Sequence, residues 1–312
     1  MEFIRGIANV SPRHRGCALT IGNYDGVHLG HQAVLRDLVV RAHELDCPAT
    51  VMVFEPTAQE FFSNAAAPAR LTTLREKLRY LQTFNVDRVL CVHFNRRVAA
   101  MTPEIFVDRL VDNGLGAHHV IVGDDFRFGR DRAGDFNSLV EAGKERGFAV
   151  AATPEFVYDG QRVSSSAVRA SLAQGDLSTA ARFLGRDYSM SGRVRRGEQL
   201  GRRLGYPTAN IAPHRRVLPL HGVFAVQVLK PGGNRLPGVA SLGVRPMVDG
   251  REPLLEVHLF DYDEDLYGQY LEVFFITRLR EERVFADLHA MVAQMHEDAA
   301  QARTVLGLNP AG

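Results

Sequence analysis

His28 and His31 stand three residues apart in Thr20-Ile21-Gly22-Asn23-Tyr24-Asp25-Gly26-Val27-His28-Leu29-Gly30-His31-Gln32, a stretch with glycines at 22, 26 and 30. An apolar run precedes it and an amphipathic pattern follows, so it reads as strand, glycine turn and helix start. The first amides of a helix point outward unpaired and the helix dipole adds positive charge beside them, so an anion can dock there. Two imidazoles one turn apart can then donate to phosphate oxygens as charge builds on them. The alternative is a pair of surface or core histidines at a helix start. The glycines favour the first reading, because they allow a backbone approach that side chains would block.

Two further stretches of the same half carry groups suited to nucleotides. Gly123-Asp124-Asp125-Phe126-Arg127-Phe128-Gly129 sets acids, aromatics and a base between two glycines, and reads either as a ring-binding loop or as a charged surface turn. Ser164-Ser165-Ser166-Ala167-Val168-Arg169 puts hydroxyls and free amides at a helix start with a guanidinium one turn on. All of these donate to anionic oxygen and suit a triphosphate tail; the alternative is a serine cap with a solvated arginine. A histidine pair after the first strand and a Ser/Arg helix start after the last are the two halves of a nucleotidyl-transfer site. The arrangement resembles the nucleotidyltransferase superfamily related to class I aminoacyl-tRNA synthetases. In that chemistry a nucleophile attacks the α-phosphorus of a nucleoside triphosphate in line, and the protein supplies positioning and charge stabilisation.

The second half has its own signature. Gly192, Gly197, Gly201 and Gly205 punctuate an arginine-rich stretch, suited to a loop over phosphates or to a flexible basic hairpin. It is not a Walker A motif, because Glu198-Gln199 follow Gly197 where Lys and Ser/Thr are required. Pro207 stiffens the chain before Thr208 and Asn210, whose oxygens, two apart on a strand-like segment, point to one side and can hold a hard cation. In Leu255-Glu256-Val257-His258-Leu259-Phe260-Asp261 the residues Glu256, His258 and Phe260 share a strand face. Glu256 is there either a paired structural charge or a general base with a raised pKa.

These residues need elements to hold them. Buried, β-branched runs predict strands over residues 17–22, 49–54, 88–94, 118–123 and 148–157. Apolar residues at helical spacing predict helices over 32–45, 73–84, 102–112 and 136–146, the third opened by Thr102-Pro103 and the last stopped by Gly147. A loop is expected over 64–70. Such alternation implies a parallel sheet covered on both faces, with ligands at the carboxyl ends of its strands, where 22–31 and 123–129 both fall. Short helices follow Ser166 and run from Asp176 to Gly185. Near Asp187 the pattern becomes strands, at 191–194, 223–229, 239–242, 254–260 and 271–276, without helical periodicity. That predicts an antiparallel barrel or sandwich of about 90 residues, then a long helix over 281–306. The expected fold class is α/β plus β: a doubly wound, Rossmann-like parallel-sheet domain over 1–186, and a small antiparallel β-barrel domain with a terminal helix over 187–312.

Composition narrows the class of protein. The 312 residues give room for two domains of ordinary size, and a formal net charge of +1 gives no reason to expect binding to nucleic acid or anionic membrane. Three scattered cysteines, Cys17, Cys47 and Cys91, support neither a disulfide framework nor a zinc ribbon. The N-terminus lacks the apolar core of a signal peptide and no run is long enough for a membrane span, so a cytoplasmic protein is expected.

The ordered set GNYDGVHLGHQ, VGDDFRFG, VSSSAVR, LGYPTANI, HGVFAV and LEVHLFDYDEDLYG, spread over residues 20–275, resembles the bacterial bifunctional riboflavin kinase/FAD synthetase family. The resemblance implies an FMN adenylyltransferase in the first domain. His28 and His31 would stabilise the ATP phosphates, Gly22, Asn23, Asp25 and Gly30 would shape the adenine and ribose-phosphate site, and Ser164, Ser165, Ser166 and Arg169 would grip the triphosphate. Asp125, Phe126 and Arg127 lie where the family binds the flavin. The barrel would be a riboflavin kinase, with Thr208 and Asn210 at Mg²⁺ and the ATP phosphates, the 192–205 loop closing over nucleotide, and Glu256 as base on the flavin 5′-hydroxyl. Riboflavin, FMN, FAD and ATP are the implied partners. Tyr24, Thr57-Ala58, Asp125 and the run Ser241-Leu242-Gly243-Val244-Arg245-Pro246-Met247 depart from the family's usual residues. Two other readings compete: an adenylyltransferase whose barrel only binds flavin, against which the intact Pro207-Thr208-Ala209-Asn210 and Glu256 argue, and an RNA-binding protein, against which the near-neutral charge argues.

Overall fold

Runs of Val, Ile, Leu and Ala build the parallel sheet of the first of two units. The computed structural model describes residues 1–63, 66–197, 201, 204–247 and 250–309. Chain contacts divide it into Met1–Pro68 with Leu74–Ser164, and Ala69–Thr73 with Ser165–Gly312.

In the first unit β1 (Glu2–Arg5), β2 (Cys17–Ile21), α1 (Leu29–Glu44), β3 (Ala49–Glu55), α2 (Ala58–Ser63), α3 (Leu74–Gln82) and β4 (Arg88–His93) lead to α4 (Arg96–Ala99) and α5 (Pro103–Phe106). A π-helical segment, Val107–Asp112, continues α5. Then come β5 (Ala117–Gly123), the two-residue strands β6 (Arg127–Phe128) and β7 (Gly134–Asp135), α6 (Phe136–Arg146), β8 (Ala149–Thr153), and a small hairpin of β9 (Val157–Tyr158) and β10 (Gln161–Arg162). Six strands lie in the order β1-β4-β3-β2-β5-β8, with every neighbouring pair parallel.

Alternation sends the strand side chains to opposite faces. Leu19, Met52, Leu90 and Val120 pack with Phe106, Leu110 and Leu139 on one face, while Ala18, Val51, Val89 and Ile121 pack with Leu35, Leu38 and Leu81 on the other. Both faces are therefore dry, which is why β2 reads as an unbroken buried run. The order reverses at β2, whose neighbours are β3 and β5. That switch point opens a crevice beyond their carboxyl ends.

The second unit starts with α7 (Ser165–Gln174) and α8 (Leu177–Leu184), the latter capped by Asp176 and ended by Gly185 at φ 69°. Six strands, β11 (Ser189–Arg195), β12 (Ala209–Ile211), β13 (Gly222–Leu229), β14 (Arg235–Met247), β15 (Gly250–Leu259) and β16 (Tyr270–Arg280), close into a barrel in the order β11-β12-β15-β14-β13-β16. Met190, Phe224, Val226, Leu242, Val257 and Phe275 are among its buried side chains. A helix, α9 (Leu288–Val305), follows, and Ala299 and Ala302 pack with Ala225 and Phe260.

The fold class is as the sequence implies, with local differences. The strand expected over 148–157 ends at Thr153, because Pro154 has no N–H to continue a ladder, and the chain turns into β9 and β10. The last helix begins at Leu288 rather than 281, where Asp287 accepts from the Ala290 amide at 2.8 Å, and β16 extends through Arg280 instead. The compact units part at Ser164, ahead of residue 186, where the pattern turns to strands. Within the second unit the Tyr188 hydroxyl and the Arg215 guanidinium donate to the Leu71 carbonyl at 3.0 and 2.9 Å, which ties the 69–73 segment to it. Asn64 and Ala65 of the expected loop lie outside the described residues. Among the described residues no helix is long and apolar enough to cross a membrane.

Candidate functional sites

The turn from β2 to α1 is held from below. Thr20 Oγ1 donates to the Ile121 carbonyl at 2.7 Å and meets the Tyr24 hydroxyl at 2.7 Å, burying Tyr24 and pushing its phenol pKa up by desolvation. Tyr24 and Val27 both take left-handed backbone, with φ 49° and 42°. For a β-branched residue that is an outlier which only fixed surroundings sustain, and Gln32 Nε2 helps by donating to the Val27 carbonyl at 3.0 Å.

α1 starts three residues earlier than its apolar periodicity predicts, so His28 becomes its N-cap and His31 lies in its first turn. His28 Nδ1 accepts from the His31 amide at 3.3 Å, which places the proton of the neutral ring on Nε2. The two imidazoles stack with centroids 3.6 Å apart, and the Tyr24 ring lies 4.8 Å from His31. A Cβ at Gly30 would come within 3.2 Å of the His28 ring and 3.4 Å of Phe156, so a larger residue there would push on the His28 ring.

Gly22, Asn23, His28, Gly30, His31 and Ser164 share the wall of a cavity of about 1450 Å³ beyond the carboxyl ends of β2 and β5. Single-ligand pockets run to roughly 1,000 Å³, so this one has room for two ligands. Asp25 is buried in the turn, only 7 % exposed. Asp125, Phe126 and Arg127 also line the cavity. Asp125 is ion-paired to Arg162 at 3.2 Å, Arg162 also meets Glu155 at 2.9 Å, and Arg127 donates to the Phe126 carbonyl at 3.1 Å.

Sequence reasoning found the aromatics of the 123–129 stretch but missed the other rings of this wall, Phe54, Phe61 and Phe94. Phe126 stacks on Phe128 at 5.5 Å, Phe54 meets Phe94 edge-on at 6.0 Å, and Phe61 meets Phe94 at 5.3 Å. The signal was present: Phe54 and Phe94 stand near and just past the carboxyl ends of β3 and β4, where a doubly wound sheet binds ligands. Ser165, Ser166 and Arg169 belong to α7 in the second unit, where Arg169 Nε donates to the Ala69 carbonyl at 2.6 Å.

In the barrel, Ala209 and Ile211 are buried, so Thr208 and Asn210 take the outer face. Pairing sets Arg195 opposite Asn210, Asn210 opposite Glu256, and Glu256 opposite Ser241, a polar row across four strands. Glu256 thus alternates with the core residues Leu255 and Val257. Gly197 and Gly201 close over this row. A Cβ at Gly197 would fall 2.6 Å from Asn210 Nδ2, and one at Gly201 would fall 2.3 Å from the Tyr206 carbonyl and 3.3 Å from Thr208 Oγ1.

Gly192 is instead a packing glycine inside β11, where a Cβ would meet Ile211 at 2.7 Å, and Gly205 turns the chain at φ 83°. Glu198, Gln199, Leu200, Arg202 and Arg203 of the loop lie outside the described residues, as do the side chains of Arg245, Pro246 and Met247. After β16, Glu282 lays its carboxylate on Gly243. Desolvation there, with Glu256 nearby, raises its pKa against the pull of Arg280. Among the described residues no three His, Cys, Asp or Glu side chains group to hold a metal ion.

The FAD synthetase family model matches residues 10–167 and the riboflavin kinase model matches 184–306. The chain is 48% identical over 309 residues, 99% of both chains, to the bifunctional riboflavin kinase/FMN adenylyltransferase of Escherichia coli K12. It is 48% identical over 306 residues, 98% of both chains, to that of Pseudomonas fluorescens. A solved structure from Streptococcus pneumoniae, described as a macrolide-efflux protein, matches with a TM-score of 0.79 at 25% identity over 96% of this chain and 97% of its own. With both family models matched in order and near-full coverage at this identity, the chain belongs to the bifunctional riboflavin kinase/FMN adenylyltransferase family.

Proposed function

We infer that the protein phosphorylates riboflavin to FMN with ATP at the barrel, and adenylylates FMN to FAD, releasing pyrophosphate, in the first domain. The functional division we propose is the one drawn from the sequence, with the adenylyltransferase over 1–186 and the kinase over 187–312. The observation that carries the reading is the cavity at the β2/β5 switch point, roomy enough for a flavin and a nucleotide together, with the histidine pair on its wall and aromatic rings beside it.

For adenylyl transfer, a phosphate oxygen of FMN attacks the α-phosphorus of ATP, and pyrophosphate leaves. His28 gives Nε2–H to the phosphate oxygens, and His31, stacked upon it, keeps that ring in place and adds a second imidazole. Gly22, Asn23, Asp25 and Gly30 shape the nucleotide site, and Ser164, Ser165, Ser166 and Arg169 take the triphosphate. Phe126, with Asp125 and Arg127 of the same loop, holds the flavin.

For phosphorylation, Glu256 takes the proton of the riboflavin 5′-hydroxyl as that oxygen attacks the γ-phosphorus of ATP, the bond from the γ-phosphorus to the β-phosphate oxygen breaks, and ADP leaves. Gly197 and Gly201 approach the nucleotide over the polar row, and Gly205 turns the chain at the end of their loop. Thr208 Oγ1 and Asn210 Oδ1 are hard oxygen donors under a glycine-lined cradle, which suits Mg²⁺, an ion that takes few protein ligands and completes its shell with water and phosphate. When bound, Mg²⁺ would neutralise charge on the ATP phosphates. We place the enzyme in the cytoplasm, which its three unpaired cysteines suit.

The test is to incubate the protein with riboflavin, ATP and Mg²⁺ and to separate the flavins over time. FMN rising first and FAD following is the expected course; FMN that accumulates without FAD, or riboflavin left untouched, overturns the reading.

A further inference from the structure

The ladder between β12 and β15 ends where Ala209 pairs with Val257. Continued outward, that register sets Thr208 opposite His258, and Pro207 beyond it has no N–H with which to extend the ladder. Its carbonyl is instead held by a side chain: His258 Nδ1 lies 3.0 Å from it, and because a carbonyl only accepts, Nδ1 must carry the proton. His258 shares the outer face of β15 with Glu256 and is fixed from three sides. The Tyr206 ring meets it edge-on at 5.0 Å, the Phe260 ring does so at 5.8 Å, and Val239 of β14 is its partner in register. Tyr206 in turn reaches α9, its hydroxyl 2.5 Å from His296 Nδ1, and its own amide donates to the Gly201 carbonyl at 2.8 Å.

We propose that His258 is a positioning residue of the kinase: by donating to the Pro207 carbonyl it fixes the peptide plane between Pro207 and Thr208, and so the direction in which Thr208 presents its hydroxyl to nucleotide. The bond does for this segment what the missing ladder bond would have done, at the point where the chain passes from the glycine loop into β12. Tyr206 and His296 carry the same constraint into α9. The inference rests on the reading of Thr208 and Asn210 as the kinase's nucleotide and metal ligands.

Two substitutions separate the hydrogen bond from the ring. His258→Phe keeps an aromatic ring against Tyr206 and Phe260 but cannot donate, whereas His258→Asn loses the ring but sets an amide N–H near the place of Nδ1. With full-length protein and saturating riboflavin, His258→Phe should raise the kinase KM for ATP about five- to tenfold, the worth of one such bond, and His258→Asn should stay within about twofold of the parent. Adenylylation of supplied FMN should be unchanged in both, showing that they fold. The reverse order, with Asn impaired and Phe normal, would assign His258 to packing and overturn the proposal, as would two normal variants. If His258→Phe fails to fold, Leu replaces it as the near-isostere of Asn that lacks the donor, with the same expectation. Thr208→Ala, run alongside, tests the underlying reading: kinase turnover and KM unaffected by that change would remove Thr208 from the site, whatever His258 does.

Discussion

At the scale of single residues, the histidine pair is the sharpest feature, because its two members are held differently. His28 is tied into the helix start through Nδ1, while His31 stacks upon it and lies beside the Tyr24 ring. Removing the His31 ring would take away a proposed donor to developing charge and the ring stacked on His28. His31→Ala should therefore lower FAD formation from supplied FMN by on the order of 10²- to 10³-fold, as for loss of one transition-state donor. FMN formation from riboflavin should stay near the parent rate, and equal loss of both activities would mean that the histidines do not serve adenylyl transfer alone. Both histidines were legible in the sequence because their motif is local. The part of the aromatic wall from Phe54, Phe61 and Phe94 was not: Phe54 near the end of β3 and Phe94 just past the neighbouring β4 meet only because those two strands pair in the sheet. The pairing of Asp125 with Arg162 was hidden for the same reason.

At the scale of elements, what could be read depended on whether a cap or a period marked the end. α6, with Asp135 before it and Gly147 after it, keeps the bounds predicted, and α8 does nearly so between Asp176 and Gly185. β1 and β12, at four and three residues, are too short for a period to register, although β12 carries the kinase candidate Asn210 and starts just after Thr208. Asp176 makes the capping argument testable. Its carboxylate accepts from the Thr179 amide at 2.9 Å, and its bonds to Thr179, side chain first and backbone second, hold its pKa below the usual carboxylate range. A carboxyl depressed in the folded state stabilises it at pH values above the unfolded pKa, about 3.9, and loses that contribution as pH falls through the lower folded value. Asp176→Ala should thus cost about 1 kcal/mol at neutral pH, read as a lower urea midpoint, and the gap from the parent should narrow below about pH 4. A gap that is flat with pH would show that the cap works without its charge.

At the scale of the whole molecule, the chain carries two activities, and FMN is the product of one and the substrate of the other. The kinase candidates Thr208, Asn210 and Glu256 all belong to the barrel unit, whereas His28 and His31 belong to the sheet unit. Each reaction can then be removed without the other. Glu256→Gln removes the carboxylate proposed as the base, so it should fail to phosphorylate riboflavin yet still turn supplied FMN into FAD. His31→Ala should do the converse. Neither variant alone should carry riboflavin to FAD at an appreciable rate, but an equimolar mixture should, since FMN released by one protein is substrate for the other. FAD should appear in the mixture after a lag, because free FMN must first build up, and the lag should shorten when both proteins are added at higher concentration. Added FMN should abolish it. A mixture that makes no FAD while each variant retains its single activity would show that FMN formed at the barrel does not reach the second site through solution, and that the two reactions are coupled within one chain.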